Sequence, residues 1–291
     1  LKSFIKLIRA HQWIKNSFIF LPIFFAVKME NVDLLVRTAL VAIGFSLVAS
    51  AIYIFNDWRD IEEDRQHPEK KKRPLASGAI KVPVALTLMN ALAIGGSVLI
   101  FVVQPEAFYF TMVYVAMNLA YSLYLKRVAL LDITIIAIGF VLRLKVGATV
   151  GGADTELSMW AILITFLLAL FLALAKRRDD VVLAQAGTQV RKSIKGYNLE
   201  FINGAMMIMA SVTVVAYISY TISDEVTSRF ENKNLYLTVF WVILGILRYM
   251  QITFVLGKSG SPTKVLLRDV FLQVILVGWI ATFVYLLYLH P

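Results

Sequence analysis

The sequence predicts an all-α, polytopic membrane protein, and three observations carry that prediction. Of its 291 residues 59% are hydrophobic and only 16% charged, with a mean hydropathy of +0.74, far more apolar than a soluble core of this size needs. Apolar stretches near the helical crossing length, about 20 residues for a hydrocarbon core of about 30 Å, recur along the whole chain. The alternating segments of about ten residues that build a β-barrel do not.

Taken in order, nine transmembrane helices are expected at 12–27, 34–55, 82–103, 107–125, 128–150, 157–175, 202–222, 235–256 and 270–289. The start, "LKSFIKLIRAHQWIKN", is basic and amphipathic, with Phe4, Ile8 and Trp13 suited to the membrane interface. No cleavable signal peptide is expected there. Turn signals separate later helices: "QPE" from 104, "GGAD" from 151 and "GKSGSP" from 257. Phe18, Phe20, Phe24 and Phe25 read as lipid-facing or packing residues, and Met206, Met207 and Met209 as packing. No soluble domain or low-complexity tract fits between the helices, so 1–291 reads as a single transmembrane domain.

Charge fixes the orientation. With nine helices, 22 of the 29 Lys and Arg fall on the side of the N-terminus and 4 on the other, the rest lying within helices. Basic residues collect in cytoplasmic connections. The charged connections are therefore placed on the cytoplasmic side of the membrane, and the net charge of +10 follows largely from this asymmetry. Membrane lipids are the surrounding partners; no nucleic acid is expected, and homo-oligomer contacts are not legible on an apolar exterior. Zero cysteines exclude disulfides and thiolate chemistry, and three scattered histidines, His11, His67 and His290, make no zinc site.

The segment "NDWRDIEEDRQHPEKKKRPLASG" (56–78) packs six acids and six bases into one hydrophilic island. Asp57, Asp60 and Asp64 stand at i, i+3 and i+7, within an arc of about 60° on one helix face. Carboxylates so close repel one another unless a cation sits among them. Hard oxygen ligands suit Mg²⁺, which binds one or two carboxylates and completes its shell with water and substrate phosphates. Asn56 adds a neutral ligand or hydrogen bonder. The bland alternative is a solvated loop whose acids pair with Arg59, Arg65 and the run Lys70–Arg73. Of these bases Arg65 and Arg73 are the substrate-binding candidates, and Arg73 is fixed by Pro74.

Other costly polar residues point the same way. Arg143 and Lys145 lie in the fifth helix and Arg248 in the eighth; each is functional unless it snorkels to a headgroup. "QWIKN" puts Lys15 and Asn16 at the cytoplasmic start of the first helix. "YSLYLKR" puts Tyr121 and Lys126 at the end of the fourth, beyond Asn118 and before Asp132. "KRRDD" puts Lys176, Arg177 and two aspartates at the end of the sixth, with Tyr197 following. In a ring of helices these ends surround a central cavity open to the cytoplasmic side, with one acidic ledge and several basic ones. That balance suits two anionic reactants.

"NDWRDIEED" fits an NDxxDxxxD pattern in full, and "YSLYLKR", with four residues between Tyr121 and Lys126-Arg127, is one residue longer than a YxxxKR element; on them the chain resembles the UbiA superfamily of intramembrane prenyltransferases. The resemblance implies a nine-helix bundle whose aspartates bind Mg²⁺ and a diphosphate in a central cavity. Ordinary members carry a second spaced aspartate motif after the sixth helix; "KRRDDVVLAQAG" at 176–187 departs from it. With "QWIKN", "GFVLR", "LAKRR" and "LRYMQITFVLGKSGSP", the chain is instead similar to the branch that makes polyprenyl-phosphoryl ribose. This implies transfer of 5-phosphoribose from phosphoribosyl diphosphate to a polyprenyl phosphate, toward lipid-linked arabinose. Asp57, Asp60 and Asp64 then hold Mg²⁺ and are catalytic. Lys15, Lys126, Arg143, Lys176 and Arg177 hold the two phosphates, and Asn118, Tyr121 and Tyr197 hydrogen-bond ribose or phosphate. The rivals are an ordinary prenyltransferase joining a prenyl diphosphate to an aromatic acceptor, and a non-enzymatic transporter or polyprenyl-phosphate binder.

Overall fold

A computed structural model of the chain describes residues 2–67, 70–155, 157–186, 192–230, 233–257 and 260–289; His290, Lys258 and Arg191 lie outside them. Regular structure among these residues is entirely helical. Seven helices are long and apolar enough to cross a membrane. They match seven of the nine expected segments. The fourth segment is a helix of 19 residues, Pro105–Leu123. The first is wound differently, as an 11-residue 3₁₀ run, Ala10–Phe20, followed by a short α-helix. The chain divides into two compact units, residues 1–126 with 139–157 and residues 127–138 with 158–291.

In the first unit, α1 (Lys2–Leu7) leads into the 3₁₀ run and α2 (Leu21–Phe25). Phe4 is exposed, whereas Ile8 and Trp13 are partly buried. α3 (Val32–Arg59) begins at Asn31, whose side chain accepts the Leu34 N–H at 3.1 Å, and runs for 28 residues. α4 (Ile61–Gln66), α5 (Val82–Val103) and α6 (Pro105–Leu123) follow. α7 (Leu131–Val150) passes through both units, and its part from Gly139 onward belongs to the first.

Small residues set the packing here. A Cβ on Gly96 of α5 would lie 2.6 Å from the Gly44 carbonyl of α3, so these backbones touch as small-residue membrane contacts do. α7 approaches the 3₁₀ run more closely still. A Cβ on Gly147 would fall 2.0 Å from the Ile19 carbonyl oxygen, a backbone atom that cannot rotate away. Gly147→Ala is therefore expected to destabilise the protein by about 1–3 kcal/mol, outweighing alanine's better helix propensity. Thermal unfolding in detergent checks this.

Pitch explains why a 3₁₀ run suits this place. Trp13 Nε1 donates to Ser50 Oγ at 3.0 Å and Asn16 Nδ2 to Ser46 Oγ at 2.7 Å. Three residues of 3₁₀ helix and four of α-helix both rise about 6 Å, so Trp13 and Asn16 meet successive serines of α3. Ile19, three further on, is fully buried in the core with Ala42, Phe45 and Val146.

In the second unit, α8 (Met159–Gln185) is capped by Ser158 and α9 (Leu199–Ile222) by Asn198. α10 (Asp224–Phe230), α11 (Val239–Phe254), α12 (Pro262–Arg268) and α13 (Val270–Val284) complete it. Phe171, Leu174, Ile202, Met206 and Ile252 form its core, and Met209 packs against it; Met207 is exposed. Arg248 reaches Asp269 at 2.7 Å, and Asp269 caps α13 by accepting the Leu272 N–H, so the eighth expected span carries a paired cation.

Candidate functional site

The acidic island does not continue α3 as one helix. Asp57 lies in its last turn, Asp60 caps it with φ −100° and ψ 10°, and Asp64 lies on α4. Helical bonds run through the break, Asp60 N–H to the Asn56 carbonyl at 3.0 Å and Asp64 N–H to the Asp60 carbonyl at 2.7 Å. Asp60 thus sits in the sparsely populated bridge region where many active-site residues are found.

Each carboxylate has a cation. Asp57 and Asp64 are buried, and Arg73 Nη1 donates to both, at 3.1 Å to Asp57 Oδ1 and 2.6 Å to Asp64 Oδ2. Arg9 also donates to Asp57 Oδ1. Lys126 Nζ meets Asp60 Oδ1 at 2.5 Å. Arg65 turns outward to Glu62 at 2.8 Å and to the Ala76 carbonyl at 3.3 Å. Asn56 is half-buried beside Asp57, and Lys71 and Lys72 are exposed. The repulsion expected among three close carboxylates is thus relieved by arginine and lysine side chains.

Among the described residues no three acidic or histidine side chains converge into a ready metal cage. The donor set nevertheless suits Mg²⁺ in kind. Asp57 and Asp64 aim oxygens from two helices at one cationic nitrogen of Arg73, marking a position where a positive charge is held by two hard anionic ligands. A divalent ion held by these carboxylates would displace guanidinium groups from them.

A second group of side chains in the same unit carries positive charge without acid. Arg143 is buried, so it does not snorkel. Its partners are neutral: Asn16 Oδ1 at 2.8 Å, the Gly139 carbonyl at 2.7 Å and Tyr114 Oη at 3.1 Å. Its guanidinium also lies 4.9 Å from the ring centroid of Tyr114 and 5.2 Å from that of Phe45. Lys15, next in the chain to Asn16, is half-buried, and neither Lys15 nor Arg143 makes an ion pair among the described residues. A buried cation held only by dipoles is costly, and an arriving anion would supply the missing charge. Asn118 Nδ2 donates to the Tyr114 carbonyl at 2.8 Å, and Tyr121 lies half-buried one turn on.

The second unit treats its cations differently. Arg177 is buried, and its Nε donates to Asp132 Oδ2 and its Nη1 to Asp180 Oδ2, both at 2.6 Å. Tyr197 Oη donates to Asp132 Oδ1 at 2.7 Å and accepts the Leu130 N–H at 2.7 Å. Burial and the bond to Asp132 push the Tyr197 hydroxyl pKa up, so it remains a donor. Arg177 and Tyr197, read from the sequence as phosphate or ribose ligands, here hold the entry of α7 to the end of α8. Arg178 donates to Asn203 Oδ1 at 3.0 Å and to the Thr253 carbonyl at 2.9 Å. Lys176 is half-buried on α8.

Two contributors escaped the sequence reading. Arg9 was absorbed into the basic interfacial start, and nothing in its spacing ties it to Asp57. Tyr114 could have been found, since Tyr114, Asn118 and Tyr121 stand at i, i+4 and i+7 on one face of α6.

Comparison with known proteins places the chain in a family. The model of the UbiA prenyltransferase family matches residues 17–255. The chain is 32% identical to a decaprenyl-phosphate phosphoribosyltransferase of Mycolicibacterium smegmatis, over 96% of this chain and 90% of that protein. It is 31% identical to the enzyme of the same name from Corynebacterium glutamicum, over 99% and 87% respectively. Its fold matches a UbiA homolog from Archaeoglobus fulgidus bound to DMAPP and Mg²⁺, with a TM-score of 0.71, 17% identity and coverage of 98% and 99%. The chain is an integral membrane protein and belongs to the UbiA prenyltransferase family.

Proposed function

We propose that this protein transfers 5-phosphoribose from phosphoribosyl diphosphate to a polyprenyl phosphate, in a single nine-helix domain whose cavity opens to the cytoplasmic face of a bacterial membrane. The observation that carries the reading is the pair Lys15 and Arg143, cations without an ion-pair partner among the described residues, in the same unit as the aspartates. Such a site asks for a second anionic reactant besides a diphosphate. The relatives named decaprenyl-phosphate phosphoribosyltransferase support the same choice of reaction.

Asp57, Asp60 and Asp64, with Asn56, would hold Mg²⁺, and Arg65 and Arg73 would contact the diphosphate of the donor. When bound, the ion supplies charge neutralisation to the departing diphosphate. The anomeric C1–O bond breaks, its electron pair leaving with diphosphate, and an acceptor phosphate oxygen forms the new C1–O bond. The acceptor is already ionised at neutral pH, so no general base is required. Lys15, Lys126 and Arg143 hold the donor 5-phosphate and the acceptor phosphate, with Asn118 and Tyr121 orienting them. Arg177 and Tyr197 act through Asp132 as positioning residues. The prenyl-to-aromatic alternative asks for a second acidic trio near Asp179, and Asp180 is held by Arg177.

Purified protein supplied with radiolabelled phosphoribosyl diphosphate and Mg²⁺, and offered polyprenyl phosphates and aromatic acids in parallel, tests this. Label should enter the organic extract only with the polyprenyl phosphates; transfer to aromatic acids, or none, defeats the proposal. Arg143→Gln is expected to raise the KM of donor or acceptor about 10- to 100-fold, as loss of a charged hydrogen bond does. Unchanged kinetics for both would return Arg143 to a purely structural part.

A further inference from the structure

The N-terminal segment places a cation on the aspartate cluster in an unusual way. Leu7, at the end of α1, is fully buried with Ile54, Leu75, Ile80 and Ala85. Ser50 Oγ donates to the Ile8 carbonyl at 2.9 Å. Arg9 then turns the chain with φ 51° and ψ 47°, a left-handed conformation that a residue with a Cβ adopts only when its surroundings impose it. The turn brings its guanidinium onto Asp57 Oδ1, 5.1 Å from the Tyr53 ring centroid. That oxygen is the one Arg73 also contacts. Arg9 retains 22% side-chain exposure where Asp57 has 2%, so the backbone is anchored while the head group has room to turn.

We propose that Arg9 is a substrate-binding residue that exchanges partners. It neutralises Asp57 while the aspartates hold no metal, and it turns to the donor's diphosphate once a divalent ion takes Asp57. The inference rests on the phosphoribosyl-transfer reading. One carboxylate oxygen cannot hold a hard dication and a guanidinium together without like-charge repulsion, so metal entry releases Arg9. A guanidinium fork released beside a diphosphate finds the planar, bidentate oxygens that suit it best. Arg73 bonds both Asp57 and Asp64, whereas Asp57 is the carboxylate given to Arg9, so Arg9 has one such bond to lose and is the freer of the two to leave.

The test uses the full chain in detergent, with Mn²⁺ as the metal probe followed by electron paramagnetic resonance. Phosphoribosyl diphosphate is titrated separately with Mn²⁺ present. For R9Q the two affinities should move in opposite directions. Mn²⁺ alone binds about tenfold tighter, because its competitor is gone. Phosphoribosyl diphosphate binds about 10- to 100-fold weaker, for want of a charged hydrogen bond. R9K, which keeps the charge without the fork, should bind Mn²⁺ as the wild type does and the donor more weakly, and it carries the test if R9Q fails to fold. A loss of both affinities in R9Q, or no change in either, overturns the exchange. Wild-type protein that binds Mn²⁺ but no phosphoribosyl diphosphate defeats the transfer reading. In that case a tightened Mn²⁺ affinity in R9Q still supports Arg9 as the occupant of the metal position, and an unchanged one overturns it.

Discussion

Replacing Asp60 with alanine is expected to lower the proposed phosphoribosyl transfer about 10²- to 10³-fold while the protein stays folded, the size of effect that follows loss of one preorganised electrostatic contact. Asp60 is the informative choice among the three aspartates because of where it sits. It caps α3, with a side-chain exposure of 19% and Lys126 as its ion-pair partner. Removing it leaves a lysine that can move into solvent. Removing Asp57 instead would strand Arg9 and Arg73 against a buried position, so lost activity there could not be separated from lost structure. The measurement is Mg²⁺-dependent transfer by the purified variant, with thermal unfolding as the control. Full activity in folded Asp60→Ala protein would remove the metal role from this residue.

Asp132→Ala is expected to have the largest effect on stability, about 3–5 kcal/mol, because it leaves the buried Arg177 with an incomplete set of partners. Arg177 has 1% side-chain exposure and Asp132 none, so water cannot take the place of the lost carboxylate. Tyr197 Oη loses its acceptor in the same step. The double variant Asp132→Ala with Arg177→Met should recover most of the loss, since removing both charges also removes the desolvation they require. Chemical unfolding in detergent reads both. If the two single variants and the double are equally unstable, the network contributes packing and not charge.

Much of this fold was legible because hydrophobic length is a coarse and reliable signal. The seven long apolar helices fall where continuous hydrocarbon runs for about 20 residues. The winding of residues 10–20 was not legible, since 3₁₀ and α-helix share the same residue preferences and differ here only in matching Ser46 and Ser50. The break at Asp60 was hidden for a related reason. Spacing at i, i+3 and i+7 describes a continuous helix, and the cations that favour breaking it, Arg9 and Lys126, lie 48 and 66 residues away from their aspartates. Arg143 was found because charge within an apolar run is conspicuous. The pairing of Arg177 with Asp132 was not, although each residue had been noticed separately.

The 3₁₀ stretch at the start of the chain also has a consequence for reach. Eleven residues wound at about 2.0 Å per residue extend about 22 Å, where the same residues coiled as an α-helix would extend about 16 Å. With α2 added, the segment reaches about 30 Å, the thickness of the hydrocarbon layer, although it holds fewer residues than an α-helical crossing needs. Its length is therefore stretched rather than spare: relaxing it to an α-helix would shorten it by a full turn and break the register in which Trp13 and Asn16 meet Ser50 and Ser46.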